Sequence, residues 1–164
     1  MGGKASKSQV LVARVAVGLM VVFVLVGVLW HGVSVENARR VVGNVLERPF
    51  GPMTFRFVLQ PVMAALAAWR DGRHDAGIDR VPYLWAMFTR PHTLGARLHE
   101  GLVATGRVIL LGLVMDTIYQ VLVFDTFHPI EAVVISLLLA FVPYLLLRGP
   151  FARLARWRKG AGAR

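Results

Sequence analysis

The sequence predicts an all-α integral membrane protein with four transmembrane helices, the second of them short, and amphipathic helices at the interface. Three observations carry that class. The chain is 56% hydrophobic and only 17% charged, well beyond the balance of a soluble domain. Long apolar runs recur along it, each of a length suited to a bilayer. The 19 Lys and Arg residues, against 9 Asp and Glu, gather at the ends of those runs, as membrane topology demands. The 164 residues read as a single membrane domain, with spans at about 10–30, 54–69, 102–124 and 129–147 and a basic tail over 148–164.

The first span follows a short basic start containing Lys4 and Lys7 and ends at Trp30-His31, where an interfacial aromatic belongs. Its apolar run is long for a signal core and no A-x-A site follows, so an uncleaved anchor fits better than a cleaved leader. From Val33 to Arg48 the apolar positions Val35, Ala38, Val41, Val42, Val45 and Leu46 fall on one helical face. That pattern predicts an amphipathic helix lying at the outer interface, or a water-exposed extension of the first span, ended by Pro49 and Gly51-Pro52.

Thr54 to Trp69 is apolar but interrupted by Arg56, Gln60 and Pro61. As a helix it rises only about 24 Å, a little short of a ~30 Å hydrocarbon core. It reads as a short span, a re-entrant helix or a surface helix, and charge parity decides among them. Lys4 and Lys7 at one end and Arg148, Arg153, Arg156, Arg158 and Lys159 at the other both prefer the cytoplasm. Both ends on one side require an even number of crossings, so this segment counts as the fourth. Arg70 to Glu100 is then an inner loop with a charged turn over Arg70–Asp75 and an aromatic-rich helical turn, Pro82–Phe88. The last two spans form a hairpin around Asp125–Glu131, a turn with no Lys or Arg.

Three phrases occur together: Phe55-Arg56-Phe57-Val58-Leu59-Gln60-Pro61 with Asp71-Gly72 after it; Pro82-Tyr83-Leu84-Trp85-Ala86; and Asp116-Thr117-Ile118-Tyr119-Gln120 followed by Pro143-Tyr144-Leu145-Leu146-Leu147-Arg148-Gly149-Pro150. Over roughly Phe55 to Trp157 the chain resembles a family of small bacterial multi-span inner-membrane proteins of unknown function. The resemblance implies a bacterial inner-membrane location with no activity, substrate or cofactor attached.

Asp116 lies inside an apolar run, where a carboxyl is costly. Asp116 and Gln120 are four residues apart and share a helix face, with Tyr119 adjacent; Arg56 and Gln60 are likewise four apart. These five residues are the expected intramembrane polar cluster, either a clamp that fixes helix register or a relay for a proton, ion or small polar ligand. Asp125, His128 and Glu131 are residue types that bind zinc or manganese, but Pro129 breaks any helix presenting all three and no fourth ligand is in view. Glu131 reads instead as a first-turn acid favoured by the helix dipole. None of the five His lies mid-span, against a haem site. The absence of cysteine removes disulfides, thiolate metal sites and palmitoylation.

No cofactor is expected, no common catalytic motif is present, and no nucleophile–base pair can be assembled. The basic residues flank apolar runs and do not form an aromatic-interleaved surface, so nucleic acid is not the expected partner. Arg153, Arg156, Trp157, Arg158 and Lys159 are expected to contact anionic lipid headgroups. The sequence thus points to a non-enzymatic accessory or structural membrane component that packs against another membrane protein or a second copy. The alternative is a small transporter or channel built around Asp116.

Overall fold

A computed structural model describes residues 6–32, 34–47, 54–78, 83–123 and 127–161, and every regular element among them is helical. The elements are α1 (Lys7–His31), α2 (Val35–Glu47), α3 (Arg56–Gly77), α4 (Tyr83–Thr89), a 3-10 turn (Pro91–Thr93), α5 (Leu94–Val123), α6 (Pro129–Ser136), a π turn (Leu137–Phe141) and α7 (Val142–Ala161). Three helical stretches are long and apolar enough to cross a membrane: Lys7–His31, Pro91–Val123 and Pro129–Lys159.

Local chemistry explains the boundaries. At the start of α1 the Ser6 backbone N–H donates to the Gln9 side chain at 2.9 Å, which occupies a donor the helix cannot use. Gly32, with φ of +67°, ends it, because a side chain is disfavoured in that conformation. Pro129 opens α6 at a position where a missing N–H costs nothing. Pro143 lies just beyond the π turn at Leu137–Phe141. Its ring crowds the carbonyl four residues back, at Leu139, and the widened turn relieves that crowding without ending the helix.

Several boundaries differ from the sequence expectation. The second apolar segment does not stop at Trp69; α3 runs on to Gly77, so the charged stretch Arg70–Asp75 is helix and not a turn. The basic stretch after the fourth expected span is helical, because α7 continues to Ala161. Both extensions have one cause: Asp71 and Asp75 on α3 bond to Tyr144 and Arg148 on α7, which holds the two helix ends together. α5 begins at Leu94, eight residues before the apolar run. Lys4, Arg48, Pro49, Gly51-Pro52, Pro82 and Asp125 lie outside the described residues.

Contacts along the bundle fix the helix directions. Ala13 lies against Gly106, and at the opposite end of α1 His31 stacks edge-on to His128 with ring centroids 4.7 Å apart. α1 and α5 therefore run together. α3 and the α6–α7 rod run the other way, with Arg56 beside Asp116 at one end and Asp75 beside Arg148 at the other. Small residues make the closest approaches. A Cβ on Gly106 would lie 2.9 Å from Ala13 Cα, and one on Gly72 would lie 2.8 Å from the Arg148 carbonyl oxygen, so both positions need glycine for the backbones to meet.

Between the two ends the interior is apolar. Val108, Ile109, Leu113, Ala132 and Ala140 form one packed group, and Ala64, Ala68, Tyr83 and Tyr144 another. α3 is built inside out. Arg56, Gln60, Gly72 and Asp75 are buried, while Val58, Leu59, Val62 and Leu66 are exposed.

Candidate functional site: two buried ion-pair clusters

At the end of the bundle where α3 begins, Arg56 Nη1 lies 2.8 Å from Asp116 Oδ1, and both side chains are fully enclosed. The i to i+4 spacing on α5 brings Gln120 Nε2 within 2.7 Å of Asp116 Oδ2, where it donates a hydrogen bond. The same amide ties down the turn before α6. Its Nε2 donates to the His128 carbonyl at 3.1 Å and its Oε1 accepts from the His128 N–H at 2.6 Å. Tyr119 presents its ring face 4.7 Å from the Arg56 guanidinium carbon, a cation–π contact strengthened by burial.

Four of the five residues expected from sequence thus meet in one bonded unit. Gln60 is buried beside them on α3, but its amide has no hydrogen-bond partner among the described residues.

Beside this unit lies a shallow pocket lined in part by His31, Arg40, His128 and Glu131. Glu131 is completely enclosed and lies 3.9 Å from Arg40 of α2. That contact, together with half-buried Val41, seats α2 on α6 at this end of the bundle. Val42 is exposed, and the side chains of Ala38, Val45 and Leu46 lie outside the described ones. No group of three His, Asp or Glu side chains able to hold a metal ion occurs among the described residues.

The opposite end carries a second cluster that the sequence did not reveal. Arg148 is its hub. Nε and Nη2 grip Asp75 at 2.7 and 3.0 Å, Nη2 also reaches Glu100 at 2.5 Å, and Nη1 donates to the Tyr144 hydroxyl at 2.7 Å. That hydroxyl donates in turn to Asp71 at 2.8 Å. Asp71/Asp75 and Tyr144/Arg148 are both i, i+4 pairs, so two parallel helices meet rung by rung. The planar fork of arginine matches a carboxylate bidentately, which lysine cannot do.

Tyr83 closes this cluster from α4. Its ring covers Arg148 at 4.3 Å and Arg97 at 5.4 Å, and its hydroxyl donates to the Arg97 carbonyl. Burial pushes the Tyr83 phenol up to about 12; the adjacent arginines oppose that rise and Glu100 adds to it. The aromatic stretch expected at headgroup depth therefore splits: Tyr83 is interior, whereas Trp85 is exposed.

The hydroxyls between the clusters are turned onto their own helices. Thr105 donates to the Gly101 carbonyl and Ser136 to the Ala132 carbonyl, at 2.8 and 2.7 Å. No polar chain of described residues joins the two ends. Of the residues expected to meet lipid headgroups, Arg153, Trp157, Arg158 and Lys159 are exposed and Arg156 is half-buried. Comparison of the chain with protein-family models, with curated proteins and with solved structures gives no match.

Proposed function

We infer that the protein is a non-enzymatic accessory component of a membrane, a rigid four-span bundle held in register by an ion-pair cluster at each end. The observation that carries this reading is the apolar layer between two closed clusters. Each charge is answered inside its own cluster, which is what a clamp requires and what a conduction path lacks.

The inside-out pattern of α3 supports the fourth span. A helix with Arg56 and Gln60 enclosed and Val58, Leu59, Val62 and Leu66 outward suits lipid on its exposed face, whatever its mean hydropathy. Outward cations on the other helices mark one common depth. Arg14 on α1 lies about 25 Å from His31, and Arg107 on α5 about 24 Å from Val123. On α3, Arg70 lies about 21 Å from Arg56, against about 14 Å from Asp116 to Arg107, so it sits about 7 Å further toward the Arg148 end. The basic ends favour a cytoplasmic location for both termini, and the resemblance to small bacterial proteins favours the inner membrane.

The test is a double-mutant cycle on Arg56 and Asp116, measured by unfolding in bicelles. A clamp predicts that Arg56→Gln and Asp116→Asn each destabilise, and that the pair costs less than their sum because no stranded charge remains. Strict additivity would remove the clamp. One observation favours a transporter instead, namely the Gln60 amide next to the ion pair, which has no hydrogen-bond partner among the described residues, since an enclosed amide calls for a partner.

A further inference from the structure

A different group of charges, where α3 meets α7, has no carboxylate partner among the described residues. Trp69, Arg73 and Gly77 are spaced by four and so form one stripe along α3. Both ends of that stripe are held to α7. Trp69 packs edge-on to Phe151 at 5.1 Å and lies 5.9 Å from the Arg158 guanidinium carbon. At the other end, a Cβ on Gly77 would meet Lys159 Nζ at 3.7 Å. Arg73, midway between, is thereby bracketed by Arg158 and Lys159, and all three side chains are exposed.

The described carboxylates at this end are engaged elsewhere: Asp71 with Tyr144 and Arg70, and Asp75 and Glu100 with Arg148. None of the three cations has a carboxylate partner among the described residues. Like charges gathered on one stripe repel unless an anion joins them. An aromatic ring beside arginine at the edge of an apolar belt is the setting of a lipid headgroup.

We propose that Arg73, Arg158 and Lys159, on the Trp69 side of the α3–α7 seam, form a binding site for a lipid headgroup carrying two phosphates. Three cations suit a doubly charged headgroup better than a single phosphodiester. The adjacent exposed apolar residues, Leu66 on α3 and Leu154 on α7, would lie along its acyl chains. The site rests on the membrane reading given above and adds to it a headgroup class and the seam that selects it.

The experiment measures binding of cardiolipin, phosphatidylglycerol and phosphatidylcholine to the full chain in detergent by native mass spectrometry. Cardiolipin is expected to bind tightest. Each cation near a charged headgroup contributes on the order of fivefold in affinity, so Arg73→Gln with Arg158→Gln should weaken cardiolipin about 25-fold. Arg39→Gln, an exposed cation on α2 at the other end of the bundle, should leave it unchanged. Should the double variant fail to fold, Lys159→Gln alone reads the same loss at about fivefold.

Equal affinity for cardiolipin and phosphatidylglycerol would overturn the site, as would unchanged binding by the variants. Competition by inorganic pyrophosphate alone would overturn the lipid as occupant. Failure to insert into vesicles of any composition would instead sink the membrane reading.

Discussion

Removal of the Arg148 guanidinium should be the most damaging single change in the protein, and the geometry orders its neighbours behind it. Arg148 and Asp75 are 1% and 2% exposed and joined by two hydrogen bonds. Arg148→Gln would leave Asp75 charged and enclosed, a loss of roughly 3–5 kcal/mol for one partner of a buried pair. Asp75→Asn should cost somewhat less, because Arg148 keeps Glu100 and Tyr144. Glu100 is different: its side chain is 34% exposed, so water replaces the lost contact and Glu100→Gln should cost about 1 kcal/mol or less.

Replacing Arg148 and Asp75 together by Met and Leu should cost less than the sum of the two single changes, with a coupling of about 1–3 kcal/mol. The assay is reversible unfolding in bicelles followed by tryptophan fluorescence. Two results would refute the reasoning: additive single and double changes, or a Glu100→Gln loss as large as that of Asp75→Asn.

Cysteines introduced singly at Ser6, Ser34 and His74 should react with an impermeant thiol reagent from the outside only at position 34; outside labelling at position 74 would leave three crossings in place of four. Val41→Asp should loosen α2 from α6 by on the order of 1 kcal/mol through lost apolar burial, read as faster motion of a spin label on α2. The Tyr83 phenol is raised from 10.0 to about 12, so its contribution to stability is complete below pH 10 and is lost as pH rises from 10 to 12. Tyr83→Phe should make the loss of stability between pH 10 and 12 shallower, and an unchanged slope would show that Tyr83 does not contribute to it.

How much was legible in the sequence follows from where each signal sits. The Arg56–Asp116 cluster was readable because both residues interrupt apolar runs, and a charge there demands a partner. Its i, i+4 amides were readable too, although only Gln120 makes the expected bonds. The Arg148 cluster was hidden by its surroundings. Arg148 precedes five further basic residues and passed for the start of a basic tail, while Asp71 and Asp75 sit among Gly72, Arg73 and His74 and passed for a turn. The matching four-residue spacing of Asp71/Asp75 and Tyr144/Arg148 was the available clue. It becomes informative only once α3 and α7 are known to lie parallel. The character of α3 was obscured for a related reason: mean hydropathy averages over faces, and here the polar face turns inward.

The central claim, a closed clamp at Asp116 in place of a conduit, is tested most directly by flux. The full chain and its Asp116→Asn variant would be reconstituted in liposomes, and proton and alkali-cation entry followed under an imposed gradient. The clamp predicts that wild-type vesicles leak no faster than empty ones, with the variant altering stability alone. Flux through the wild type that Asp116→Asn abolishes and Asp116→Glu partly retains would contradict it.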